Sequence, residues 1–305
     1  MALADFLSAI RALILDDGVI GATAADRRAA LAARFPRLSD DQLDDLADIS
    51  PARLQVYTDL IFAGERSTLE WVYPVSLAVI GQLRADAGDG RPPRLANFEL
   101  VRALHRFRPW KSSSQRQLAA DFEDFIRAER TEWTEAWPGI GELIDLERTE
   151  LDIFYAEDVP HKRFTAQVCE MLTAFSVEAL LARSILVPPY AAIRSYEYDV
   201  PEFAQRFRKS SALRTPLPGS SPSLAACGRN ETSLMPDWVR LDEPAHRALD
   251  RLPRSTPIEI NGFATAYLEA GGGGHAADEQ AVFGVFFTLL VRLMGAGVLL
   301  LAAEK

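Results

Sequence analysis

The chain predicts an α+β fold: an all-helical bundle at the N-terminal end, followed by a smaller α/β module with a short sheet. Three observations predict it. Through residues 1 to 158, apolar residues recur at the three-four spacing of helices packed on one side. After Asp158 the texture changes, with Pro188-Pro189 and the stretch TPLPGSSP (Thr215 to Pro222) breaking the chain into shorter runs. The C-terminal part then reads as short strands and helices divided by glycines. The expected domains are therefore a helical bundle over 1–158 and a second domain over 159–305.

The elements follow in order. Leu3, Phe6, Leu7, Ile10 and Leu13 mark a helix over 2–14. A second covers 24–35 and stops before Pro36. In SDDQLDDLADIS, Ser39 is a helix cap followed by acidic residues in the first turn, where they suit the helix dipole; the acidic face is read as solvated. Pro51 starts a helix through Leu54, Tyr57 and Ile61, then Leu69 and Val72, and Pro74 forces a bend or fresh start. The Gly-, Asp- and Pro-rich loop 85–93 leads to a helix at Phe98. A long helix over 115–137 and another over 139–156 complete the bundle.

Beyond Asp158, residues 164–183 fit a helix by periodicity and Ile185 to Val187 fit an extended piece; helix and strand both stay open between 164 and 187. Residues 215–222 read as a linker. Ser223 to Cys227 and Trp238 to Leu241 are short strands around a polar turn. Asp242 caps a helix to Leu252, and further helices follow over 256–270 and 278–294. The glycine run 271–274 separates these two, and Val298 to Leu301 ends the module as a strand. Two strands, three helices and a final strand resemble a winged-helix-like module. Such a module can bind a peptide by strand addition or DNA through a helix.

Composition weighs against some functions. Lys+Arg number 33 against Asp+Glu 43, a net charge of -10, whereas nucleic-acid affinity comes from clustered cations. The apolar run 282–303 is interrupted by Arg292, Gly295 and Gly297 and reads as a buried helix and strand, not a membrane span. No signal peptide pattern is present. Cys169 and Cys227 are two cysteines without metal-ligand spacing, read as reduced thiols of a cytoplasmic protein.

No catalytic constellation is visible. The histidines at 105, 161, 246 and 275 are scattered, and no nucleophile elbow, phosphate loop or dinucleotide fingerprint occurs. Glu147 and Glu150, one helical turn apart, are read as a chance pair in an acidic chain. Trp71, Trp133 and Trp137 are read as packing residues, and Trp110 as an exposed anchor.

Four segments occur in an order that carries a resemblance. Arg53 to Gly81 combines Arg-x-x-x-Tyr (Arg53, Tyr57), Leu-Glu (Glu70), an aromatic-Pro-Val pair at Pro74 and a closing Gly. Phe98 to Ala128 holds Arg108-Pro109, serines 112–114, Phe122 and Phe125. Trp137 to Asp158 holds Glu147, Tyr155 and Asp158, and Leu186 to Val200 follows. Together they resemble the companion subunits of multinuclear non-haem iron-dependent oxidases, which mature ribosomally made peptides and carry a DNA-binding-type helical domain at the N-terminus.

The resemblance implies a non-catalytic subunit in a heterodimer with the oxidase. The irons sit in the partner, and this chain holds no cofactor. It binds the leader of a precursor peptide and presents a cysteine for oxidative modification, with thiaglutamate-type removal of a cysteine carbon slightly favoured over oxazolone formation by chain length. The bundle docks the oxidase, with Arg53, Tyr57, Glu70, Pro74, Trp110 and Glu147 as structural or interface residues. Glu147 is expected to be a buried carboxylate paired with an arginine, Arg53 being the candidate. The leader is expected along the sheet edge formed by Ser223, Leu224, Ala225, Ala226, Cys227, Trp238, Val239 and Arg240. The second reading is a DNA-binding regulator; the absence of Lys and Arg between Thr256 and Ala270 counts against it.

Overall fold

The computed structural model describes residues 2–15, 23–108, 114–158, 176–210, 217–230, 232–272 and 279–302. Among them the helices and strands are, in chain order, α1 (Ala2–Leu15), α2 (Ala24–Arg34), α3 (Asp40–Ala47), α4 (Pro51–Val72), α5 (Pro74–Asp86), α6 (Pro93–Phe107), α7 (Gln115–Glu129), α8 (Thr131–Ala136), α9 (Ile140–Phe154), α10 (Val177–Leu181), β1 (Ser184–Leu186), β2 (Ala192–Tyr198), α11 (Val200–Ser210), β3 (Ser220–Arg229), β4 (Pro236–Leu241), α12 (Glu243–Arg251), β5 (Ile258–Glu259), α13 (Ile260–Glu269), α14 (Glu279–Gly295) and β6 (Leu300–Leu301). The fold is α+β with a helical N-terminal region.

Two compact units divide the chain: residues 1–71 with 91–110, and residues 72–90 with 111–305. This differs from the expected break at 158. The reason is α9, which packs on β2, β3 and β4 as well as on α5 and α7. Its apolar spacing marks it as a helix but not as the support of a sheet that follows it in sequence.

The first unit is helical. Leu13, Leu31, Leu43, Leu46 and Leu54 close a small core around α1 to α4. Ser39 caps α3 in a reciprocal box with Gln42. Arg27 is buried and offsets that cost by donating to the carbonyls of Ala47 at 2.7 Å and Ile49 at 3.2 Å, at the end of α3. Asp40 and Asp44 both meet Arg28, so part of the acidic face is paired. Phe62 on α4 meets Phe98 of α6 edge-on at 5.9 Å.

The second unit layers helices on both faces of a sheet. Pro74 occupies the first turn of α5, where its missing N–H costs nothing, so the proline restarts the helix as expected. Tyr73, fully buried, donates to the Ala119 carbonyl at 2.9 Å and joins α5 to α7. The expected single helix over 115–137 is two helices, because Arg130 leaves helical geometry between α7 and α8. Trp133 and Trp137 are buried, as read, whereas Trp71 at the end of α4 is 50% exposed.

Among the described residues there are two three-stranded antiparallel sheets, ordered β2-β3-β4 and β5-β1-β6. On one face of the first, Ala226, Val239 and Leu241 join a core with Leu249, Phe263, Leu290 and Leu293. On the other face Cys227 and Ala192 pack against Ile153 of α9. Asp242 caps α12 as expected, accepting the Ala245 N–H at 2.8 Å. The extended piece at 185–187 is β1 and the bridge at Val187.

The final strand β6 pairs with β1. Ser220 to Pro222, expected in a linker, open β3. Strand β2 and helix α11, unread in the sequence, complete the sheet and cover it. Residues 164–175, Cys169, His161, His275, Trp110 and Gly273-Gly274 lie outside the described residues.

Candidate functional site

The most distinctive surface is the outer edge of β4. In the β3–β4 hairpin the Asn230 N–H bonds to the Met235 carbonyl, and the register runs from Arg229↔Pro236 to Leu224↔Leu241. Antiparallel alternation then points the backbone groups of Asp237, Val239 and Leu241 at β3 and those of Trp238 and Arg240 away from it. Among the described residues no strand pairs with that outer side. Such an edge is a template for another extended chain.

A groove of about 440 Å³ runs beside this edge between β4 and α11. Its base is an ion-pair cluster. Arg208 of α11 donates to both oxygens of Glu150 at 2.8 and 2.7 Å, and Trp238 Nε1–H donates to Glu150 at 3.0 Å. Arg208 also lies 3.7 Å from the buried Glu147. Farther along, Arg240 meets Asp199 at 3.1 Å and Glu202 at 3.2 Å. The arginines thus tie α11 to α9 and to β4 and set the groove's width; a bidentate guanidinium holds that geometry better than a lysine.

Glu147 is buried as expected, but its partners differ from the expected one. Its carboxylate accepts the N–H groups of Val75 at 2.9 Å and Ser76 at 3.0 Å, two donors left open at the start of α5. Arg208 supplies the cation, while Arg53 is exposed on the first turn of α4. Burial pushes the Glu147 carboxyl up to about 7, against hydrogen bonds from Ser76 and Val75 that pull it down. Glu147 and Glu150, read as a chance pair, are the two carboxylates that Arg208 bridges.

The expected leader-binding residues separate into three groups. Trp238 and Arg240 lie on the free edge. Ser223, Leu224 and Ala225 help line the groove but belong to β3, the central strand, whose backbone already serves β2 and β4. Ala226, Cys227 and Val239 are buried. The edge is therefore not around Ser223 to Cys227, because β2 takes that side. Burial raises the Cys227 thiol well above its ordinary value, which makes it an inert packing residue.

The other singled-out residues are dispersed. Tyr57 is 54% exposed on α4, and Glu70 pairs with Arg66 at 3.5 Å and accepts from Asn97 at 3.3 Å. Tyr155 donates to Gln115, and Asp158 accepts from Arg229 at 2.6 Å. Sequence reasoning set Glu150 aside as half of a chance pair and missed Arg208, Asp199 and Glu202. The spacing Val200, Phe203, Ala204, Phe207 is the signal that could have marked α11.

Among the described residues no cluster of His, Cys, Asp or Glu could hold a metal ion, and no helix is long and apolar enough to cross a membrane. No protein-family model and no curated protein matches the chain.

Proposed function

We propose that this chain is a non-catalytic partner subunit that holds an extended stretch of a ribosomally made peptide along β4. A separate iron-dependent oxidase would then modify a cysteine of that peptide. One observation carries the peptide half of the reading: β4 ends its sheet with outward backbone groups at Trp238 and Arg240, beside a groove. Backbone hydrogen bonds along such an edge supply affinity without demanding a particular sequence.

The oxidase half rests on the ordered segments that resemble companion subunits. In this reading irons and dioxygen belong to the partner, the complex is a cytoplasmic heterodimer, and the helices of residues 1 to 158 dock the enzyme. The chemistry assigned to the complex is removal of a carbon from a peptide cysteine. This chain's share is to hold the peptide so that its cysteine reaches the metal site.

Two experiments test the two halves. Random decapeptides displayed on phage are panned against the full chain, and the enriched peptides are titrated against Arg240→Pro and Arg240→Ala. Both substitutions remove the ion pairs to Asp199 and Glu202, but only proline removes the outward N–H. Affinity should fall at least about tenfold further in the proline variant, near 1.4 kcal/mol. Equal affinity in the two variants, or no enrichment at all, overturns the peptide reading. For the oxidase, the tagged chain is purified from its own host and the eluate is assayed for a stoichiometric iron protein. A chain that elutes alone, or that binds duplex DNA instead, overturns that half.

A further inference from the structure

Helix α4 carries two apolar faces. Leu54, Phe62, Leu69 and Val72 are buried and, with Thr58 and Glu65, mark the inward face. On the opposite side Val56, Tyr57, Leu60, Gly64, Ser67 and Trp71 are exposed. The exposure reaches 57% at Val56, 54% at Tyr57, 64% at Leu60 and 50% at Trp71. Two seven-residue repeats run along this side, Arg53-Leu60-Ser67 and Tyr57-Gly64-Trp71. That is the spacing of a seam between two helices. Four large apolar side chains on one solvated face mark a contact surface.

The order of residues along the face names the occupant. Its first half is bulky at Val56, Tyr57 and Leu60, and its second half is small at Gly64 and Ser67, where a Cβ on Gly64 meets nothing within 4 Å. Two copies laid antiparallel about a two-fold axis put Leu60 of each opposite Gly64 of the other. The same register sets Val56 and Tyr57 against Ser67 and Thr68, and Arg53 against Glu70 and Trp71. Arg53 is exposed, and the contacts of Glu70 with Arg66 and Asn97 both fall on Oε1. An arginine from the other copy therefore reaches Oε2 and the indole ring. A parallel pair would instead oppose Arg53 to Arg53 and leave Gly64 facing Gly64 across a gap. We propose that the free chain is a two-fold dimer through the outer face of α4, the two helices paired antiparallel. This goes beyond the proposed function and does not depend on the β4 edge, which belongs to the second unit. Helix α4 has 22 residues, a length of about 33 Å. A pair of that length reaches the low end of stable interfaces, about 1,200 Å² in total, so dissociation falls in the micromolar range.

The test is sedimentation velocity of the full chain from about 1 to about 100 µM. The mass should rise with concentration from one chain of 33.7 kDa to two. Leu60→Arg, at an exposed position, should weaken the dimer at least about tenfold and leave the thermal melt unchanged. Cysteine coupling reads the register. On mild oxidation, a mixture of Leu60→Cys and Gly64→Cys chains should form a covalent dimer at least about tenfold faster than either variant alone. A chain that stays monomeric, or a dimer indifferent to Leu60→Arg, overturns the inference. So does faster coupling of each variant with itself than with the other, which would make the pair parallel. If the free chain is monomeric and Leu60→Arg instead releases a co-purified iron protein, the face belongs to the oxidase. This inference then falls and the proposed function stands.

Discussion

Glu147 and Ser76 meet at the start of α5, where the Glu147 carboxylate accepts the Ser76 N–H at 3.0 Å inside the second unit. A side chain from α9 thereby does what a local cap would do for α5, whose own cap position, Tyr73, makes no side-chain capping hydrogen bond. The same carboxylate faces Arg208, so one buried group connects α5, α9 and α11.

Glu147→Ala should therefore destabilise the second unit. It removes two acceptors from buried N–H groups and leaves Arg208 with Glu150 as its main partner. The expected loss is roughly 2–5 kcal/mol, read as a lower urea midpoint at pH 7. An unchanged midpoint would show that α5 does not depend on this contact.

Glu65 on α4 gives the pH prediction. Burial raises its carboxyl to about 7, moderated by the nearby Arg11, and its Oε1 has no hydrogen-bond partner among the described residues. The folded pKa lies above the ordinary value of 4.5, so the folded state holds its proton more tightly than the unfolded state. Its stabilising contribution is full below about 4.5 and is lost as pH rises through about 7. Glu65→Gln should flatten that fall and melt higher than the parent at pH 8. Parallel melting curves of parent and variant from pH 5 to pH 8 would contradict this.

Arg229 closes the other end of α9. It donates to the Ile153 carbonyl at 2.7 Å and to the Ala156 carbonyl, pairs with Asp158 at 2.6 Å, and lies over Tyr190 at 5.1 Å. A cation there meets the negative end of the helix. Arg229→Ala should cost roughly 2–3 kcal/mol, and Arg229→Lys should recover only part of it because an ammonium lacks the fork. Full recovery by lysine would reduce the contact to charge alone.

Glycines 228 and 297 mark a close backbone crossing between β3 and the turn after α14. A Cβ on Gly228 would lie 2.3 Å from the Gly297 carbonyl carbon, and Gly297 has φ +69. Gly228→Ala should destabilise by about 3 kcal/mol or more, measured by thermal melt. Gly64→Ala on α4, where a Cβ meets nothing within 4 Å, should stabilise by about 0.5–1 kcal/mol.

Local features were legible in the sequence where a few neighbouring residues decide them. Ser39 and Asp242 cap their helices, Pro74 restarts one, and the strand-strand-helix-helix-helix-strand order of the C-terminal part holds except that β5 is inserted between the first two of those helices. Strand β2 escaped because its burial does not follow a clean alternation and its pairing with β3 shifts between Tyr196 and Tyr198. Trp71 has the same helical setting as Trp133, yet only Trp133 is covered, since spacing places a side chain on a face without saying what the face meets.

By itself, then, the sequence determined most of the helices, the caps at Ser39 and Asp242 and the restart at Pro74, because each depends on contacts within a few residues. The partner of Glu147, the role of α9 as support for a sheet, and the place of β4, like β2, as an edge strand of its sheet were decided only by the tertiary structure. Each depends on which distant segment arrives beside it. Strand β2 comes before β3 and takes one side of it, and that long-range pairing leaves Trp238 and Arg240, rather than Ser223 to Cys227, facing outward.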